Sequence, residues 1–112
     1  MNSLVAALAI VSCAAAAAML TEPQARARAI KILQGDPYGK TPTEVAKAIK
    51  DIRFAQDGKT FRCGPAKGPI WELHIVVAVE NKDQFDHGVI DGFLDLDART
   101  GKLLCANLPM LD

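Results

Sequence analysis

This chain of 112 residues has no charged residue in its first twenty positions and no serine after position 12. Its 13 basic and 13 acidic residues balance, which argues against a general nucleic-acid-binding role. The absence of serine from the charged part of the chain excludes a serine hydrolase there. With two histidines and three cysteines, the chain has little material for a metal site or a thiol nucleophile. The sequence therefore predicts neither a metal nor a cofactor.

The uncharged N-terminal block is typical of a secretory signal peptide. Residues 3–20 are mostly apolar and rich in alanine, and Ala16–Ala18 supplies the small residues of a cleavage site. We expect cleavage near Ala18, which removes residues 1–18 and leaves residues 19–112 as a single domain. The mature protein would then be periplasmic or secreted, with no attachment to a membrane.

Two other interpretations of this block stay open. Its uncharged run is long enough that it could just span a bilayer, although alanine is only weakly apolar. Alternatively, Ile10–Cys13 resembles the lipobox of bacterial lipoproteins. Cys13 would then carry a lipid anchor, and the protein would be a structural component of the cell envelope.

Cleavage would leave two cysteines, Cys63 and Cys105. An even pair in a small exported domain is most simply a disulfide. In strands, Phe61 shares a face with Cys63, and Leu103 shares a face with Cys105. We therefore expect a buried bridge between the first hairpin and the last strand.

Two segments carry the signals of helix starts. Thr21 and Gln24 have the spacing of a capping box, and so do Thr41 and Glu44. The first helix should end at Gly35, and the second should run to residue 52. Each helix has a proline in its first turn, Pro23 in the first and Pro42 in the second. Apolar residues follow helical spacing on one side of each helix: Ala25, Ala29, Ile32 and Leu33 in the first, and Val45, Ala48, Ile49 and Ile52 in the second.

The rest of the chain alternates between apolar and polar residues, as strands do. We predict a hairpin over residues 54–61 with its turn at Asp57-Gly58, a Gly/Pro-rich loop at 64–69, and strands at 70–80, 88–97 and 102–108. The fold class is α+β, with two amphipathic helices on one face of a curved antiparallel sheet. The inward residues would be Trp71, Leu73, Ile75, Val77, Val79, Ile90, Leu94 and Leu96. The outward residues would be Glu72, His74, Val76, Ala78, Glu80, Asp91, Phe93, Asp95 and Asp97.

Charge is divided unevenly between the two halves. Residues 21–67 hold 10 basic and 5 acidic side chains, and residues 68–112 hold 3 basic and 8 acidic ones. The halves therefore carry net charges of +5 and −5. This division favours basic helices lying against an acidic sheet within one fold.

Two motifs invite functional readings that their spacing contradicts. The pattern Asp95-x-Asp97-x-x-Thr100-Gly101 suggests a calcium loop, but Arg99 and Thr100 stand at its fifth and sixth positions, where an oxygen ligand and a glycine are needed. The segment Asp97–Lys102 joins two adjacent strands. It is better explained as a turn in which Gly101 is left-handed and Asp97 accepts backbone hydrogen bonds. The segment "GDPYGKT" lacks one residue between the glycines of a phosphate-binding loop and follows a helix rather than a strand. Its tyrosine, which we expect to be exposed, could still contact a partner.

The sequence "GVIDGFLDLDARTGKLL" resembles the closing hairpin of PepSY-like domains, whose last strands run through an Asp-x-x-Thr-Gly-Lys turn. The preceding helix, the hairpin at Asp57-Gly58 and the long strand from Ile70 also follow that family's order, so the resemblance covers residues 42–107. It implies an exported, non-catalytic domain from a family associated with propeptides and proposed to restrain peptidases. The extra first helix, the Gly/Pro-rich loop and the cysteine pair depart from the pattern. A cystatin-like arrangement is also similar, but its Gln-x-Val-x-Gly inhibitory loop is absent.

We therefore expect an exported protein-binding module that inhibits or modulates an unknown protein partner. The alternative is a small periplasmic enzyme using Glu72 and His74 with a loop acid such as Asp86; the second histidine, His87, lies beside that acid.

The predicted partner surface lies on the sheet face away from the helices and comprises His74, Val76, Asp91 and Phe93. Phe93 is an outward aromatic residue between two aspartates, so an apolar patch with a polar rim would result. The competing interpretation is that strand curvature or the loop at 64–69 covers Phe93, making it part of a minor second core.

Overall fold

The computed structural model describes residues 19–57, 63, 67–79, 88–109 and 111. The predicted signal peptide, the second arm of the predicted hairpin and the loop with Asp86 and His87 lie outside these residues. In the part described, no helix is long and apolar enough to cross a bilayer.

Within the described residues, two helices precede a four-stranded antiparallel sheet with strand order β1-β2-β3-β4, so the α+β class is confirmed. The elements are α1 (Glu22–Leu33), α2 (Pro42–Ala48), β1 (Ile49–Ala55), β2 (Ile70–Ala78), β3 (Val89–Asp97) and β4 (Leu103–Ala106).

Both helices begin with the predicted capping boxes. The backbone N–H of Gln24 donates to the hydroxyl of Thr21 at 3.4 Å, and the Gln24 side chain accepts from the Thr21 N–H at 2.8 Å. Thr41 and Glu44 repeat this exchange at the start of α2, with distances of 3.2 and 3.1 Å. Each box satisfies two backbone donors that a helix start leaves without partners.

The second helix is shorter than predicted. It ends at Ala48, and Ile49 and Ile52 belong to β1, which pairs with β2. A register shift between Ile49 and Asp51 adds one residue to β1, so both isoleucines turn toward the helices although they are three positions apart. This bulge produces the same apolar spacing as a helical turn, which is why the pattern suggested a longer helix.

The main core lies between the helices and one face of the sheet. The small side chains of Ala25 and Ala29 in α1 are fully buried and allow the helix to approach closely. On the strands, the residues predicted to point inward at positions 73, 75, 90, 94 and 96 are all buried. The buried cluster comprises Ala29, Leu33, Tyr38, Val45, Ala48, Ile49, Leu73, Ile75, Ile90, Leu94, Leu96 and Leu108.

Two aromatic residues differ from expectation. Tyr38 is 4% exposed rather than on the surface, and its hydroxyl donates to the carbonyl of Pro109. Trp71 points inward but is only half-buried, because it lies at the edge of the core, where its indole N–H donates to Leu20 O at 3.1 Å. Its ring also contacts Phe54, 5.2 Å away between centroids.

The Asp97–Lys102 segment is the predicted turn between β3 and β4. The Asp97 carboxylate accepts from the backbone N–H groups of Arg99 and Thr100, at 2.7 and 3.2 Å. Gly101 has φ +76°, a conformation that favours glycine. The Asp97 carboxylate therefore stabilises the turn between β3 and β4.

The predicted disulfide is present between Cys63 and Cys105, whose Cα atoms are 5.9 Å apart. Both cysteines are half-buried, so the bridge is less deeply enclosed than expected. It attaches the segment before β2 to β4.

Candidate functional site

The face of the sheet away from the helices is organised in two neighbouring rows of side chains. Strand pairing places Asp51, His74 and Phe93 side by side across β1, β2 and β3. We call this the contact row. The next row, which we call the acid row, runs across all four strands through Arg53, Glu72, Asp95 and Cys105. Residues opposite each other in an antiparallel pair share a face, so each row forms one strip of surface.

The contact row contains an aromatic stack. The rings of His74 and Phe93 lie 4.6 Å apart between centroids, with 12° between their planes. His74 Nε2 lies 2.6 Å from Oδ1 of Asp91, an exposed residue whose side chain is 59% accessible. Val76, opposite Asp91 in the register, is half-buried beside them. The structure therefore brings the four residues of the predicted partner surface together on one face.

Phe93 is neither fully exposed nor fully buried. Its backbone is fixed by the segment after β4, since its N–H donates to the Asn107 side chain and its carbonyl accepts from the Asn107 N–H at 3.1 Å. Gly92 permits this crossing, because a Cβ there would lie 2.6 Å from the Asn107 carbonyl oxygen. The ring position is thus set by backbone contacts as well as by the stack with His74.

Two residues of the acid row, Glu72 and Asp95, contradict the prediction that they face solvent. Asp95 is 0% exposed and Glu72 is 2% exposed, although both lie on the face away from the helices. One Arg53 guanidinium nitrogen lies 3.5 Å from Glu72 Oε1. Glu72 and Asp95 are thus enclosed on a face that strand alternation predicts to be open to solvent, whereas Arg53 at the β1 end of the row is exposed.

The two buried carboxyl groups are directly opposite each other in the pairing of β2 and β3. Burial, followed by the hydrogen bond and the charge of Glu72, raises the pKa of Asp95 to about 8, while Arg53 acts in the opposite direction. Glu72 Oε2 and both Asp95 oxygens have no donor among the N–H and O–H groups of the described residues. A proton on Asp95 supplies the missing donor, because a protonated carboxyl can donate to its neighbour.

A small crevice joins the two rows. Its volume is about 70 Å³, and it is lined by Asp51, Arg53, Glu72, His74 and Phe93. It is large enough for a few water molecules and too small for a drug-sized ligand. Such a crevice suits a single side chain of a partner rather than a small-molecule substrate.

The residues of the alternative enzyme hypothesis have separate partners. Glu72 contacts Arg53 and Asp95, whereas His74 contacts Asp91. Asp86 lies outside the described residues. Among the residues that are described, no three His, Cys, Asp or Glu side chains are grouped so that they could hold a metal ion.

No protein family, characterised protein or solved structure matches this chain in the three comparisons made.

Sequence reasoning missed the acid row as a unit. Glu72 and Asp95 each appear in an alternating strand, but the sequence does not determine that they are opposite each other. Their register depends on the long connection between β2 and β3, and connections of that length do not set the pairing of strands. The position of Arg53 was missed for the same reason, since it requires β1 to pair with β2.

Proposed function

We propose that this protein is an exported, non-catalytic binding module that captures a protein partner on its second sheet face. The contact surface consists of His74, Val76, Asp91 and Phe93. The observation that carries this proposal is the His74–Phe93 stack, which leaves an aromatic surface half-open on the face away from the helices. Aromatic side chains that are partly exposed within a polar rim are common anchors of protein interfaces.

The chemistry of the rim favours a basic partner segment. Exposed carboxylates of Asp51 and Asp91 lie at opposite sides of the stack, and the half of the chain that supplies most of this face has a net charge of −5. A partner that presents a Lys or Arg side chain beside an apolar group would complement both features. Binding should then weaken as salt concentration rises.

Export and the finer fold are part of the same proposal. The Cys63–Cys105 disulfide is typical of an oxidising compartment, which supports removal of residues 1–18 as a signal peptide and a periplasmic or secreted location. Helices preceding an antiparallel sheet with a closing Asp97–Lys102 turn support a PepSY-like arrangement with two amphipathic helices. In this role the protein would inhibit or modulate its partner.

A capture experiment with two aromatic variants tests the contact surface. Phe93→Ser should reduce capture of partners from a native envelope extract by about tenfold, the loss expected for an interface anchor. Its melting temperature should fall by less than about 3 °C, since a residue that is half-exposed contributes little to the core. Captured proteins would be identified by mass spectrometry.

Phe54→Ser is the matched control. Phe54 is 41% exposed and lies on the face that carries Trp71, so its loss should leave capture unchanged. The proposal fails if both variants lose capture equally. It also fails if Phe93→Ser lowers the melting temperature by many degrees, because Phe93 would then belong to a second core.

A further inference from the structure

The contact row adjoins a buried carboxyl pair that partner contact does not require. Glu72 and Asp95 are directly opposite in the pairing of β2 and β3, and both are closed off from solvent. Burying apolar residues at these two positions would cost less free energy than burying two acids. The pair is therefore a costly feature located next to the proposed binding surface.

Among the described residues, one cation lies beside the two buried carboxyl groups. Arg53 from β1 is the cation that faces Glu72, and β4 contributes Cys105, which the disulfide prevents from titrating. Asp97 on β3 already accepts two backbone hydrogen bonds in its turn. The other titratable residues that these strands place on this face are Lys50 and Asp51 on β1, His74 on β2 and Asp91 on β3. Among the described residues, Arg53 is the cation within ion-pair distance of the pair, and a proton on the second carboxyl removes the negative charge that remains.

We propose that the proton shared by Glu72 and Asp95 regulates the contact surface, so that losing it weakens partner binding; this inference rests on the proposed function. With the proton in place, the carboxyl groups bond to each other and Arg53 neutralises the remaining charge. Without it, two carboxylates repel each other in a site that excludes water. One of them must then move toward solvent.

The crevice provides the route by which Glu72 can reach water. Glu72 forms part of its wall, together with His74 and Phe93. A charged Glu72 that turns into this space would meet the aromatic stack and displace it. Loss of one buried proton is thereby converted into a change in the surface that binds the partner.

The direction of the pH dependence follows from the pKa of Asp95. This pKa is about 8 in the folded chain, above the value of roughly 3.9 for an unfolded aspartate. The folded state therefore holds a proton that the unfolded state has already lost at neutral pH. The stabilisation is fully present below the unfolded pKa of roughly 3.9, decreases as pH rises above it, and is lost once pH has risen through about 8.

An NMR titration of the mature protein tests the shared proton without any partner. The ¹³Cγ signal of Asp95 should titrate with a midpoint near pH 8, and the Phe93 amide signal should show a step at the same pH. In Asp95→Asn the Phe93 step near pH 8 should vanish. Asp51→Asn, which removes an exposed acid of the same face, should keep the wild-type step. A midpoint near pH 4 for Asp95 would overturn the proposal, and so would a Phe93 step that survives in Asp95→Asn.

Stability and capture supply the second test. Between pH 6 and pH 9 the wild-type melting temperature should fall by about 5 °C or more, and that of Asp95→Asn should stay nearly constant. Capture should fall at least about fivefold over the same range in the wild type only. Capture that depends on Phe93 but not on pH overturns the regulation and leaves the proposed function standing. If Asp95 titrates near pH 8 but no partner is captured at any pH, the result counts against the proposed function alone.

Discussion

The environment of single residues in this chain is decided by neighbours that are distant in sequence. Tyr38 follows a cis-proline in a segment of turn-forming residues, yet it is buried and bonded to Pro109. Burial raises the pKa of its hydroxyl to about 12, consistent with a phenol that stays neutral inside the core. Asp95 is buried in the same way, although an aspartate between apolar residues of a strand is usually exposed.

The Tyr38 hydroxyl should contribute measurably to stability. Tyr38→Phe keeps the ring in the core but removes the donor to Pro109, so the free energy of unfolding should fall by about 1 kcal/mol. Urea denaturation of both proteins measures the difference. Because the chain has one tyrosine, ultraviolet absorbance should also show ionisation of the wild-type phenol with a midpoint near pH 12. A variant as stable as the wild type would indicate that the hydroxyl bond contributes nothing.

At the scale of secondary-structure elements, helix starts were predictable and one helix end was not. The starts depend on local hydrogen bonds between residues three positions apart, so Thr21 and Thr41 could be identified from their spacing. The end of α2 depends on β2, because Ile49 leaves the helix to pair with Ile75. The bulge in β1 then places Ile52 on the inner face of the sheet. The sequence pattern also predicted an inward Ile52, but in a helix rather than in a strand.

The N-cap of α2 should contribute about as much to the free energy of unfolding as N-caps do in other proteins. Thr41→Ala removes the acceptor of the Glu44 N–H, and the free energy of unfolding should fall by about 1 kcal/mol. Backbone N–H groups of Lys40 and Thr41 hold the pKa of Glu44 below its usual value. This stabilisation should therefore be present at neutral pH and be lost as pH falls through the lowered pKa.

Thr43→Ala is the matched control for this prediction, because Thr43 is an exposed threonine in the first turn of the same helix. It should change the free energy of unfolding by less than about 0.5 kcal/mol. Equal losses in the two variants, measured by urea denaturation at pH 7, would contradict a specific capping role.

At the scale of the whole molecule, the disulfide connects to β4 at the edge of the sheet whose other face carries the two described helices. It joins positions 42 residues apart in sequence and lies beside the acid row on the opposite face. A cross-link of this span restricts the unfolded chain and so stabilises the folded one. It also holds Cys63 beside β4, in a position that strand pairing alone would not fix.

Removing the bridge should therefore lower stability strongly. Cys63→Ser combined with Cys105→Ser should reduce the free energy of unfolding by about 4 kcal/mol. Guanidinium denaturation with and without reductant measures this loss. The reductant should destabilise the wild type to a similar extent and leave the double variant unchanged. If the reductant also destabilised the double variant, its effect on the wild type could not be assigned to the Cys63–Cys105 bridge.

The sequence by itself determined the features that depend on local spacing: the two capping boxes, the Asp97–Lys102 turn and the inward residues of β2 and β3. It also identified the cysteine pair, because only two cysteines follow the uncharged block. Tertiary structure alone decided the features that depend on register, namely the end of α2, the burial of Tyr38 and the meeting of Glu72 with Asp95. The reason is that a strand's alternation specifies which side chains share a face, whereas its partner and register are set by packing of the whole sheet.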